Sequence, residues 1–219
     1  AMYTEGNAWQ HSFFVPHDVR GLAKAHGDFK KFNLKLDSLF SISSEINGVN
    51  KSPDVSGLIG QYAHGNEPSH HIAYMYAFIG APWKTSARVR QIVDSMYHAR
   101  PDGYAGNEDC GQMSAWGVWS MMGLYPANPA SGQYVFGSPQ FDEVTLQVPG
   151  GKPFTIRTKN GTKDHPYIQG ATLNGKPFSK TYIDHRTLLQ GGLLVFEMSA
   201  QPNKNWGAAN KDWPLSATK

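Results

Sequence analysis

Near residue 130 the sequence changes its period, and that change limits the folds open to it more than any other feature. Up to "GLYPANPASG" the apolar residues recur at helical spacing, with tryptophan and methionine prominent. Beyond it, valine, threonine, glycine and lysine alternate in short stretches between turn residues. Helices followed by strands in one chain predict an α+β protein, with a helical part at 1–130 and a β-rich part at 131–219.

In the first part, Asp18 to His26 reads as a short helix, and Asp28 can cap a second that places Phe29, Phe32, Leu36, Leu39 and Phe40 on one side. Loop signals run from Ser41 to Gly60. Pro68 suits a first helical turn, and Ile72, Met75, Tyr76 and Ile79 continue that helix to Gly80 and Pro82. Two more helices are expected, from Thr85 to Ala99 and after Gly111, which makes about five.

In the second part, "QYVFG", "EVTLQV", "FTIRTK", "YIQGATL", "KTYID" and "LLVFEMS" read as strands separated by Pro149-Gly150, Asn160-Gly161 and Asn174-Gly175. A small antiparallel β domain is the expectation, with a polar tail from Gln201 frayed or draped over the surface. Asn160-Gly161-Thr162 matches a glycosylation sequon, but the turn role of Asn-Gly already explains it.

Composition narrows the ligand. The 20 basic and 17 acidic side chains are spread along 219 residues for a net charge of +3, so no basic face marks a nucleic-acid or lipid partner. A neutral or small ligand fits better. Cys110 is the only cysteine, which excludes an intrachain disulfide and a zinc site of the CxxC type. No apolar run approaches the roughly 20 residues needed to span a bilayer. Ala1 before Met2 reads as an expression scar, and the chain as a cloned fragment.

Three loop-to-helix junctions concentrate the polar residues: "YTEGNAWQHSFFVPHD", "YAHGNEPSHHIAYMY" and "GNEDCGQMSAWGVWSMMGLYP". Junctions gathered at one end of a helical bundle can line a pocket with carboxylates, amides, histidines and aromatic rings, which suits sugars. Glu108 and Asp109 before an apolar helix can simply cap it and offset its dipole. Alternatively, one carboxylate activates water while a distant one protonates a leaving group, as in inverting glycoside hydrolysis. Glu5 is the distant candidate. It lies between Tyr3 and Trp9, whose apolar surroundings would keep it protonated, although a surface glutamate reads the same way. Asn66 and Glu67 are oxygen donors of the kind calcium takes. His64, His70 and His71 lack the HExxH spacing of a zinc site; His71 reads as a core residue and His64 as the better ligand contact. No GxSxG elbow supports a serine nucleophile, and Cys110 beside Asp109 is poorly placed to ionise.

Together, "YTEGNAWQHSFFVPHDVRGL", "LDSLF", "GNEPSHHIAYMY", "GNEDCGQMSAWGVWSMMGLYP" and "YVFGSPQFDEVTL" resemble glycoside hydrolase family 92, the calcium-dependent exo-acting α-mannosidases, in the same order from Met2 to about residue 207. The resemblance implies an inverting hydrolase of terminal α-linked mannose, with α-1,2 linkage the best guess, and a mannose-containing glycan as substrate. It implies that Glu5 is the general acid and Asp109 the general base. Asn66, Glu67 and Asp109 would form part of a Ca2+ environment, with Trp9, His64, Asn107 and Glu108 contacting sugar. Asn107 stands where some family members have a second aspartate, which strengthens Asp109 as the base. The family's catalytic domain is an (α/α)6 barrel after an N-terminal β-sandwich. Twelve helices of about 12 residues with short connections need about 200 residues, so residues 1–130 amount to about half a barrel. The expectations that follow are an upstream part of the polypeptide as partner, self-association through uncovered helix faces, weak or no activity alone, and a periplasmic or secreted location. A non-catalytic carbohydrate-binding module is the alternative.

Overall fold

The computed structural model describes residues 3–46 and 52–218. Part of the expected 41–60 loop therefore lies outside the described residues.

The first three helices begin where polar side chains cap them. Helix α1 (Ala8–His11) is capped by Asn7, which accepts from Trp9 N, while Gln10 answers by accepting from Asn7 N at 2.7 Å. Asp18 caps α2 (Val19–Ala25) through Gly21 N at 3.0 Å, and Asp28 caps α3 (Phe29–Ser41) through Lys31 N at 2.7 Å. Helix α3 buries Phe32, Leu36, Leu39 and Phe40, as its spacing predicted, and keeps Phe29 partly buried. A hairpin of β1 (Leu58–Ile59) and β2 (Tyr62–Ala63) follows. At its tip Gly60 has φ 61°, and a side chain there would collide with the Leu39 carbonyl at the end of α3.

The run Ile72–Ile79 is the centre of the helical part. Every residue in it is buried. It winds as a 3-10 helix of 8 residues rather than an α-helix, longer than such helices usually run, and ends at Gly80 with φ 77°. Apolar residues on every side let it sit inside the core, so no amphipathic face is needed to orient it. Helix α4 (Pro82–Met96) starts earlier than expected because Pro82 opens it instead of only ending its predecessor. Helix α5 (Gln112–Met121) follows Gly111 as expected.

The second part holds two sheets. β3 (Leu124–Tyr125), β4 (Gln133–Phe136) and β9 (Tyr182–Asp184) form one in the order β3-β4-β9. The other has five strands in the order β5-β6-β10-β7-β8: β5 (Glu143–Leu146), β6 (Phe154–Lys159), β10 (Gly192–Ser199), β7 (Tyr167–Leu173) and β8 (Lys176–Phe178). The pairings are antiparallel with one exception: β6 and β10 run parallel, from Gly192 against Phe154 to Glu197 against Lys159. The purely antiparallel expectation is corrected here. Alternation places Phe154 and Ile156, and likewise Leu194, Phe196 and Met198, in the core whichever way the strands run, so period alone could not set their direction. The short helices α1 and α6 (His185–Leu189) and the strands β3 and β8 are additions to the expected elements.

The two parts share walls. Strand β3, within the first, pairs with β4 in the second. Tyr74 stacks on Tyr125 with centroids 4.9 Å apart, and Ser86 Oγ donates to Gly137 O at 2.8 Å. The tail is draped rather than frayed: Asp212 is buried, and Ser216 and Thr218 return to donate to the Asp18 carboxylate.

Candidate active site

Each polar junction carries the dipeptide Gly-Asn, at Gly6-Asn7, Gly65-Asn66 and Gly106-Asn107. The glycines allow close approach. Gly106 has φ 78°, and a Cβ on it would be driven into the Gly65 backbone, while a Cβ on Gly65 would strike the Ser56 side chain. Two loops distant in sequence thus cross backbone to backbone, which only glycine permits. On Gly6 a Cβ would lie 2.8 Å from His11 Nε2, in the turn where His11 meets Thr4 O at 3.0 Å.

Asn66 ties the first junction to the second. It is 6% exposed; its Nδ2 donates to Glu5 O at 2.8 Å and its Oδ1 accepts from Glu67 N at 3.1 Å. The crossing then carries Glu67 to the third junction, where its carboxyl lies beside that of Asp109 and feels the charge of Glu5. The carboxyl groups of Glu67 and Asp109 thus meet, and Glu5 on a third segment is near enough for its charge to be felt there. Burial, the strongest influence, raises the Glu67 pKa, its own backbone N–H opposes this, and the carboxylates of Asp109 and Glu5 raise it further.

Backbone strain marks the same place. Among the described residues five non-glycines have positive φ: Glu5 (54°), Asp109 (47°), Cys110 (59°), Asn160 (55°) and Asn174 (51°). The two asparagines precede glycine in turns, where asparagine adopts this conformation readily. Aspartate at 109 tolerates it as well, whereas glutamate at 5 and cysteine at 110 are residue types that seldom adopt it. Left-handed backbone at non-glycine residues costs on the order of 1 kcal/mol each and tends to persist where geometry matters for function.

Below the carboxylates lies a buried ring cluster. His64 receives a hydrogen bond from Tyr62 OH at Nδ1 (2.9 Å) and donates through Nε2 to Tyr97 OH (2.8 Å), which passes its own proton to Met113 O (3.0 Å). Its ring sits edge-on to Trp116 at 4.3 Å. His70 donates to His64 O at 3.0 Å and accepts from Gln112 Nε2 at 3.1 Å, and Trp116 Nε1 donates to His70 O at 3.0 Å. Burial holds all three histidines neutral: His64 falls well below 6.5, and His70 and His71 drop to about 4. This cluster fixes α5 and, with it, the loop that bears Asp109.

Several expected contacts are corrected. His64 is wholly buried with both ring nitrogens occupied, so it braces the floor and has no atom free for sugar. His71 is the core residue expected, bonded to Phe13 O at 2.8 Å. Trp9 lines a separate cavity of about 380 Å³ with Asn7, Ile42, Glu45 and Gln61, and Lys35 Nζ covers its ring at 3.6 Å. Tyr3 stacks on His11 at 5.3 Å, so neither aromatic encloses Glu5, which is exposed. Glu108 caps α5: its carboxylate accepts from Ser114 N at 3.1 Å and Ser114 Oγ at 2.8 Å. The capping explanation thus holds for Glu108 and leaves Asp109 unaccounted for. Asn107 stands exposed on the same loop. Asn66, expected as a metal ligand, has its amide turned to Glu5 and Glu67.

A model of the glycosyl hydrolase family 92 catalytic domain matches residues 1–200. The chain belongs to glycoside hydrolase family 92. Among family 92 structures, an α-mannosidase of Bacteroides thetaiotaomicron in complex with mannoimidazole superposes with a TM-score of 0.91 at 36% identity, over 97% of this chain and 28% of that one. An inverting mannosidase of the same organism gives 0.87 at 39% identity, over 99% of this chain and 30% of that one. An uncharacterised secreted glycosidase of Arthroderma benhamiae is 33% identical over 215 residues, 97% of this chain and 26% of its own length. The chain therefore spans less than a third of each of these relatives.

Proposed function

We propose that this chain contributes the paired carboxylates of a calcium-dependent, inverting exo-α-mannosidase that removes terminal mannose, preferentially α-1,2-linked, from glycans. The observation that carries the reading is the meeting of Glu5, Glu67 and Asp109 within a family 92 chain.

Glu5 is the general acid: its proton passes to the glycosidic oxygen as the bond from that oxygen to the anomeric carbon breaks. Asp109 is the general base: it takes a proton from water as the water oxygen bonds to the opposite face of the anomeric carbon, inverting it. An inverting pair stands about 6.5–9.5 Å apart to admit that water. Solvent returns the proton to Glu5 and removes the one from Asp109. Burial and the neighbouring carboxylates raise the Glu67 pKa, which makes a proton or a cation beside Asp109 favourable.

Glu67 and Asp109 fit a hard cation in part. They are adjacent oxygen donors, but calcium takes roughly six to eight ligands, and among the described residues no three His, Cys, Asp or Glu side chains gather as a metal site. Glu67 and Asp109 would hold the ion, with the other donors drawn from backbone carbonyls, water, sugar hydroxyls or segments beyond this chain. Calcium bound there would supply positive charge against the sugar hydroxyls.

The reading extends to architecture and setting. Helices α1 to α5 would be part of an (α/α)6 barrel completed by other segments of the polypeptide. Exposed Phe14, Leu34 and Val118 would otherwise favour self-association. The named secreted relative supports a secreted or periplasmic location.

The deciding experiment is mannose release from α-1,2-, α-1,3- and α-1,6-linked mannobiose, by this chain and by the polypeptide that contains it, with calcium and then with chelator. Calcium-dependent release of the α-anomer's inverted product, β-mannose, supports the reading. Release that ignores the chelator sinks the calcium assignment, and binding without any release favours a carbohydrate-binding module.

A further inference from the structure

A second polar cavity lies at the seam between α4 and the β-rich part. It measures about 290 Å³ and is lined by Arg90, Asp94, Pro139, Gln140, Thr162 and Lys163. None of these residues belongs to the carboxylate cluster.

Arg90 is only 8% exposed, and its guanidinium is fixed from behind: Nε donates to Ser138 Oγ at 3.2 Å and Nη2 to Pro139 O at 3.0 Å. Ser138 is locked in turn, its hydroxyl donating to Pro166 O at 2.8 Å. Gln140 Nε2 is buried and has no hydrogen-bond partner. A buried donor left unpaired is unfavourable, so an acceptor entering this cavity would recover energy the fold has forgone.

The lining favours one kind of acceptor. Arg90 and Lys163 present two cations against the single carboxylate of Asp94, and Thr162 adds a hydroxyl. A neutral sugar could accept from Gln140 but would leave the surplus charge unanswered. A tetrahedral oxyanion answers both, since its oxygens only accept and guanidinium binds it through paired hydrogen bonds.

We propose that this seam binds a tetrahedral oxyanion, phosphate or sulfate, free or carried as an ester, held by Arg90, Gln140 and Lys163. The site tethers an α4 side chain and the loop after β6 to one ligand, so occupancy would also pin the β-rich part to the helices.

Calorimetric titration of inorganic phosphate into the 219-residue chain tests this directly. Saturable binding that weakens with added sodium chloride is expected. Gln140→Leu and Lys163→Ala should each weaken it by about tenfold or more. Phenyl phosphate binding as well as phosphate assigns an ester-tolerant site, and phosphate binding alone assigns a free anion. Lys163 is exposed, so Lys163→Ala should keep the wild-type melting temperature and decide the matter if Gln140→Leu unfolds. No saturable binding up to about 10 mM phosphate, equal binding by Lys163→Ala, or binding of mannose in preference to phosphate overturns the proposal.

Discussion

The carboxyl groups of Glu67 and Asp109 lie side by side, each raising the other's cost of carrying charge, although they arise from loops more than 40 positions apart in sequence. Such a pair favours a shared proton, or a cation in its place. The Gly65 and Gly106 crossing forces the meeting, and the fold accepts its electrostatic cost.

That cost has a sign. Glu67 titrates above its ordinary 4.5 in the folded chain, so the pair supports folding fully below 4.5 and loses that support as pH rises through the folded value. Glu67→Gln should therefore melt higher than wild type at pH 7 in chelator, with the gain vanishing near pH 4. A lower melting temperature at pH 7 in chelator would contradict the shared-proton description.

The backbone crossing can be tested separately. At Gly106 a side chain meets both positive φ and the Gly65 backbone; at Gly132 it meets positive φ, 66°, and nothing within 4 Å. Gly132→Ala should cost about 1 kcal/mol in urea unfolding and Gly106→Ala roughly 2 kcal/mol or more, because only the second forces the loops apart. Equal costs would mean that conformation alone, and not the crossing, requires glycine at 106.

Much of this was legible in the sequence. The Asp28 cap, the short helix from Asp18, the α3 face and the strand-rich second part follow from local rules that tertiary structure left alone. So did the three polar junctions. The roles within them were harder. His64 reads from sequence as a ligand contact, yet Tyr62 two residues before it and Tyr97 and Trp116 from distant elements close over it. Glu108 and Asp109 are neighbours with opposite fates, and what separates them is a left-handed turn at 109–111 that residue type does not announce. The repeated Gly-Asn dipeptide was the overlooked signal: glycine for the approach and, at Asn7 and Asn66, an amide to cap or tie the turn that follows.

The buried histidines give a pH prediction of opposite slope. His70 and His71 titrate near 6.5 when unfolded and about 4 when folded, and His64 is depressed as well. Below 6.5 the unfolded chain takes up protons that the folded chain refuses. Stability should be flat above about pH 6.5 and fall progressively toward pH 4, by on the order of a few kcal/mol in all. Urea denaturation midpoints across this range measure it. His71→Gln, which keeps a donor for Phe13 O, should flatten the decline even if it lowers the plateau.

The acid and base assignments separate by leaving group. On the proposed reading Glu5 would act only on the departing oxygen, and a dinitrophenolate leaves without a proton; Asp109 would act on water, which every substrate needs. In the active polypeptide, Glu5→Gln should lower kcat/KM on mannobiose by about 10²–10⁴-fold and on dinitrophenyl α-mannoside far less. Asp109→Asn should depress both by similar factors. Glu67→Gln supplies the contrast, since it should raise the calcium requirement without distinguishing the two substrates. If Glu5→Gln instead slows both substrates equally, Glu5 holds the site in shape and the proton comes from another residue. Asn66 would then be next to examine, because Asn66→Ala releases the Glu5 backbone while leaving its carboxyl group intact.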